Sequence, residues 1–183
     1  MHSPKTPPTG IERTFKVDEI IVSKTDLKGH ITYANDVFLA VSRYAEDDVI
    51  GQPHNLIRHP DMPRSVFKLL WDTLQSGEEI FAYVLNLASD GAHYWVLAHV
   101  TPTFDERGRI IGYHSNRRSP ERSAVNAINK IYRELLAVER AQRSTPAAVE
   151  AGMAALSALL TEQGLTYDEF VWGLTNQAAG AAA

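Results

Sequence analysis

Four consecutive residues, Arg58-His59-Pro60-Asp61, bring a guanidinium, an imidazole and a carboxylate into one loop. The planar fork of arginine pairs two oxygens of a phosphate at once. The imidazole can donate one further bond, and the carboxylate can hold either the guanidinium or a sugar hydroxyl. The same four residues also read as a loop ion pair before a helix that starts after Met62-Pro63, and spacing alone favours that plainer reading. Asn86 sits between Leu85 and Leu87; an amide that points inward from such a strand must find a partner. Asn35 offers a ligand contact or a helix N-cap. Trp71, Phe67, Tyr83 and Phe81 could stack on a planar ring, although aromatics at such spacings more often form core.

Other chemistries are excluded. The chain has no cysteine, which removes disulfides, thiolate nucleophiles, zinc-finger sites and cysteinyl–flavin photochemistry. His54 and His59 stand five apart, and His93 and His99 six apart. Neither spacing forms a chelating pair such as HExxH. Ser42, Ser65 and Ser115 lack a flanking base motif, and no phosphate-binding glycine loop is present, so turnover as an enzyme is not expected. A net charge of −4, with 18 Lys+Arg against 22 Asp+Glu, leaves no basic face for nucleic acid. No apolar run approaches the ~18 residues of a membrane span, and the start shows no hydrophobic signal region. A soluble, cytoplasmic protein is expected.

The elements that would position these residues follow from turn signals and periodicity. Glu19–Thr25 and His30–Ala34 read as a hairpin around Asp26-Leu27-Lys28-Gly29. Asn35 then caps a helix carrying Phe38, Val41 and Tyr44. Glu46–Val49 makes one helical turn closed by Gly51, and Val66–Leu74 carries helical spacing until Ser76-Gly77. Three β-rich runs follow, Ile80–Ala88, His93–Phe104 and Arg109–Asn116. Beyond Ser119-Pro120 the texture becomes alanine- and leucine-rich. Ser123–Arg143 is read as a helix with Ala127, Ile128, Ile131, Leu135 and Val138 as its stripe. Thr145-Pro146 starts a second helix with Met153, Leu156, Leu159 and Leu160, ended by Gly164. Thr166–Leu174 reads as a third.

Two strands, short helices and three strands are the order of a PAS domain. Several segments sharpen that reading: Thr25-Asp26-Leu27, the run from Gly29 to Asp36, the uninterrupted run from Gln52 to Pro63, Trp71–Leu74, Gly77-Glu78 and Gly91–Val96. Over about Thr25 to Arg118 the chain resembles the sensory PAS domain of bacterial aerotaxis receptors. The resemblance implies an α/β (α+β) fold, with a five-stranded antiparallel sheet and short helices on one face, followed here by an α-helical extension. It also implies non-covalent FAD as cofactor, whose redox state reports oxygen or electron-transport status. Arg58, His59 and Asp61 match its flavin-dependent positions, Asn35 matches a position near the ring, and Asn86 matches an asparagine of the family. His54, Trp71 and Phe67 complete the expected cofactor-binding set. Where flavin-binding relatives carry tryptophan after Gly-Glu-Pro, this chain has Gly77-Glu78-Glu79-Ile80.

The alternatives are a haem-based gas sensor, since one axial histidine can hold haem, and a ligand-free PAS interaction module. The expected division is 1–18 as a flexible segment or cap, 19–120 as the sensor, 121–177 as a helical tail, and 178–183 as a disordered end. The tail's two apolar stripes are expected to dock on the sheet or to drive a homodimer. A chemoreceptor or histidine kinase is the expected signalling partner of this free-standing form.

Overall fold

The computed structural model describes residues 6–180. Strands β1 (Ile21–Thr25) and β2 (Ile31–Ala34) form the expected hairpin. Its turn is set by Asp26, whose Oδ1 accepts from Lys28 N at 2.9 Å and His30 N at 2.8 Å, while Gly29 adopts φ +79°. The first strand begins at Ile21 rather than Glu19, because Glu19 is spent on a turn in which its carboxylate accepts from Lys16 N at 2.7 Å. Three short elements follow: α1 (Asp36–Ser42), α2 (Glu46–Val49) and a 3-10 turn over His54–Ile57. The longer α3 (Arg64–Gln75) leads into β3 (Ile80–Leu87), β4 (His93–Phe104) and β5 (Ile110–Arg118). The five strands pair antiparallel in the order β2-β1-β5-β4-β3.

Strand alternation gives the sheet two different faces. Val84, Asn86, Ala98, Val100 and Ser115 look toward α3, whereas Tyr83, Trp95 and His99 look the other way, where the tail lies. The tail consists of α4 (Arg122–Arg140), α5 (Thr145–Gln163) and α6 (Tyr167–Gly180). Tyr132 of α4 stacks near Trp95, 6.1 Å between centroids, and its Oη donates to Tyr83 O at 2.6 Å. From α6, Thr175 Oγ1 meets Tyr83 Oη at 2.8 Å, and Trp172 packs against Phe81, which itself stacks on His99 at 4.1 Å. The buried face of α4 is Ala124, Val125, Ile128, Tyr132, Leu135, Leu136 and Glu139. This is rotated from the expected stripe, since Tyr132 and Leu136 are buried while Ile131 and Val138 are half-buried.

Helix α5 leaves the outer face and packs on α3. Gly152 makes the approach possible, for a Cβ there would lie 2.7 Å from Glu139 Oε1 and 2.8 Å from Ser65 Oγ. Glu139, only 5% exposed, accepts from Arg64 N and Ser65 N at 2.9 Å each and from Ser65 Oγ at 2.7 Å. Pro63 occupies the N-cap position of α3 and offers no side-chain acceptor. A carboxylate from the tail therefore caps a helix of the sensor. Ile128, Leu135 and Leu156 are all buried within the one chain, so these stripes do not by themselves call for a second copy.

The segment before β1 runs beside the β3–β4 turn. Thr9 N donates to Gly91 O, His93 N to Ile11 O and Arg13 N to His93 O, and Glu12 pairs with Arg122 at the start of α4. The outer edge of β3 is also occupied. Leu85 N donates to Met62 Sδ at 3.5 Å, Tyr83 O accepts from Tyr132, and the backbone of Arg58 bridges to Asn86. Residues 1–5 and 181–183, the ends of the expected N-terminal cap and disordered tail, lie outside the described residues.

Candidate cofactor site

A cavity of about 470 Å³ lies between the inner face of the sheet and the α3 side of the fold, within the ~300–1,000 Å³ usual for small-molecule sites. Trp71, Phe67 and Leu70 of α3 supply apolar cover, with Trp71 held edgewise on Tyr113 at 5.3 Å. The 3-10 turn contributes His54, and the residue after it, Arg58, stands at the side. Every strand except β2 contributes to the lining.

The polar part of the lining is unusual. Arg117, 5% exposed, donates through Nη2 to Ser23 Oγ at 3.0 Å and to His54 Nε2 at 2.7 Å. A guanidinium has donors only, so Nε2 of His54 must accept, and the imidazole is neutral. Burial and then the neighbouring Arg117 charge push the His54 pKa down to about 3. Burial also pulls Arg117 down to about 10. No described carboxylate pairs with Arg117. Its Nη1, together with Asn86 Nδ2, Ser115 Oγ and Thr25 Oγ1, is buried without a hydrogen-bond partner among the described residues. Buried polar atoms are almost always satisfied. Four orphans around one cavity fit a polar, acceptor-rich ligand with a partial or full negative charge.

A folding consequence follows from His54. Between its ordinary 6.5 and about 3, the unfolded chain binds a proton that the folded chain refuses, so stability falls as pH drops through that window. The slope expected from this half-buried ring is about 1 kcal/mol per pH unit. Denaturant titrations at pH 7 and pH 5 read it, with His54→Gln expected to flatten the dependence. An unchanged slope in that variant would remove His54 as the cause.

Five of the eight expected residues meet here: His54, Arg58, Phe67, Trp71 and Asn86. Arg58 lies over the Phe67 ring at 4.6 Å and donates to Met62 O at 2.9 Å; burial, and then the charge of Arg64, lower its pKa to about 10. The other three stand elsewhere. Asn35 is the N-cap of α1, accepting from Phe38 N at 3.0 Å and Val22 N at 2.9 Å. Asp61 pairs with Arg140 of α4 at 2.6 Å rather than with Arg58. The Nδ1 of His59 accepts from Asp61 N at 3.0 Å, and its ring packs edgewise on His93 at 6.0 Å. Arg58 reaches the inner cavity and His59 does not, although both line the cleft between this loop and the tail. Tyr83 and Phe81 belong to the outer face under α6.

Sequence reading missed Arg117, Ser115, Ser23 and Thr25. The signal was available in β5, where Tyr113, Ser115 and Arg117 alternate on one face. The expected strand stopped at Asn116, two residues before its end and one before Arg117.

Comparisons with known proteins agree with this architecture. The model of the PAS fold matches residues 20–115. The aerotaxis receptor of Escherichia coli (strain K12) is 41% identical over 126 residues, 69% of this chain and 25% of the receptor. A nitrogen fixation regulatory protein of Klebsiella pneumoniae is 28% identical over 99 residues, 54% of this chain and 20% of that protein. The chain thus spans a quarter or less of these relatives. A light-oxygen-voltage domain solved in work on a flavin analogue superposes with a TM-score of 0.56 at 20% identity, covering 62% of this chain and 87% of that one. No helix among the described residues is long and apolar enough to cross a membrane.

Proposed function

The chain belongs to the PAS fold family, and from that premise we propose that it is a redox or oxygen sensor holding non-covalent FAD. The carrying observation is the set of orphaned donors around Arg117, a buried cation with no carboxylate beside it among the described residues. The names of two relatives, one an aerotaxis receptor and one a light-oxygen-voltage domain studied with a flavin analogue, support a flavin in this cavity. The absence of cysteine removes a cysteinyl bond to the ring, in keeping with non-covalent binding.

A bound flavin supplies reversible electron uptake that alters charge and hydrogen bonding at its polar edge. Asn86, Ser115, Thr25 and Arg117 would hold that edge, while Trp71, Phe67 and Leu70 cover the apolar part and exclude water. Arg117 favours negative charge in the cavity because its own field is uncompensated there. Asn86 is also the point where a change would leave the cavity. Three residues earlier on the same strand, Tyr83 faces outward and carries Tyr132 of α4 and Thr175 of α6. A shift of β3 therefore reaches the tail, the part we assign to a chemoreceptor or histidine kinase partner. A homodimer would have to use surfaces other than the covered stripes.

A haem needs a free histidine nitrogen at the cavity. His54 lines it, and its Nε2 is engaged with Arg117 and Ser23, which favours flavin. The test is a visible spectrum of the purified protein, with the released cofactor identified by chromatography after denaturation. FAD is expected. Recovery of haem with a Soret band, of FMN alone, or of nothing after flavin supplementation would overturn the reading.

A further inference from the structure

We infer that the turn joining α4 to α5 is part of the ligand site. There Arg143 completes a cationic cleft for the phosphates of a dinucleotide. The inference rests on the flavin reading above and deepens it: the tail becomes the element that distinguishes a dinucleotide from a bare ring.

The cleft, about 470 Å³, lies between the loop from Asn55 to Arg64 and the tail residues from Leu136 to Ala148. It adjoins the inner cavity, for Asn55, Arg58, Arg64 and Thr145 line both. Val149 of α5 lines the inner cavity too. One wall of the site thus comes from the sensor and the other from the tail.

Charge marks what the cleft would take. Four arginines line it, Arg58, Arg64, Arg140 and Arg143, against two nearby carboxylates, Glu139 and Asp61. Glu139 is turned onto the N-terminus of α3, and Asp61 is paired with Arg140. A surplus of two positive charges remains, in a chain whose net charge is −4. A pyrophosphate diester carries two negative charges, and arginine forks pair its oxygens well. Arg143 is exposed and makes no hydrogen bond or ion pair among the described residues. It is a side chain with no part in the fold, standing where phosphates would leave the cavity. Riboflavin lacks any group that could reach it.

The experiment compares binding of riboflavin, FMN and FAD to the full chain and to Arg143→Ala and Arg143→Glu, at low and high salt. The unaltered protein is expected to prefer FAD over riboflavin. Arg143→Glu should shrink that preference about tenfold and Arg143→Ala about threefold, with riboflavin affinity unchanged. Raising salt should narrow the preference in the unaltered protein and much less in Arg143→Glu. Circular dichroism checks that both variants fold. If no flavin binds the unaltered protein, the parent reading falls and this one with it. If flavins bind but the preference survives Arg143→Glu, the tail is not part of the site while the flavin reading stands. Equal losses for FAD and riboflavin would also overturn the inference, since they report tail undocking rather than phosphate contact.

Discussion

Replacing Arg117 with methionine is expected to lower flavin affinity ten- to hundredfold while raising the thermal stability of the flavin-free protein. The two effects have opposite signs for one reason. A charge-assisted hydrogen bond to a ligand contributes roughly 1.5–3 kcal/mol, which is that range of affinity. Without a ligand the same guanidinium is a buried cation with no carboxylate among the described residues and one unsatisfied nitrogen, and apolar replacements of buried charge are often stabilising. The guanidinium also gives up its place over the Phe38 ring at 6.0 Å, where a thioether can still pack, and Ser23 Oγ, 3.1 Å from His54 Nε2, can donate to it in place of Arg117. A melting temperature a few degrees higher is expected at this chain length. Unchanged flavin retention together with a lower melting temperature would show that Arg117 serves the fold instead of a ligand.

Removing the carboxylate of Glu139 should be the most destabilising single change in the tail. Glu139→Ala leaves Arg64 N, Ser65 N and Ser65 Oγ without an acceptor, and each buried orphan costs about 1–3 kcal/mol. A loss of about 3–5 kcal/mol is expected in denaturant titrations. Glu139→Gln keeps one carbonyl oxygen and should lose less. Gly152→Val approaches the same contact from the other side, by pressing a side chain into space that Glu139 and Ser65 already fill. Both changes should quicken proteolysis at the turn between α4 and α5 while the sheet stays protected. A loss below about 1 kcal/mol would mean that solvent replaces the cap and that the tail is held by its apolar contacts alone.

The sensor's element order was legible because local chemistry dictates it. Asp26 and Gly29 make a hairpin turn wherever they fall between strands, and Asn35 caps the helix it precedes. The helical tail was equally readable as helices, from Pro146 at the start of α5 to Gly164 at its end. Its placement was not. Nothing in the spacing of α4 indicates that Glu139 belongs on the buried face, because the residues that need it, Arg64 and Ser65, stand over 70 positions away. The candidate site divides in the same way. Asn86 was found because an amide between leucines on a strand is a local anomaly. His59 and Asp61 were grouped with Arg58 by sequence adjacency, yet only Arg58 reaches the inner cavity, while His59 shares the outer cleft with it and Asp61 turns to Arg140. Arg117 lies beside the expected end of its strand and becomes conspicuous only when the register β1–β5, which pairs it with Ile21, lets its side chain reach Ser23 and His54.

The occupied edge of β3 has a consequence for solubility. A sheet edge with free N–H and C=O groups invites a strand from another molecule, and that is a route to fibrillar aggregation. Here the run Val84–Leu87 is apolar apart from Asn86, the composition that such pairing favours, yet Met62, Arg58 and Tyr132 stand along it. Two of these three guards belong to the loop beside the cavity and the third to the tail. Anything that lifts the loop or frees α4 opens a β-template to neighbouring copies. Protein emptied of its ligand, or stripped of its tail, would then be expected to precipitate on warming well before its sheet unfolds.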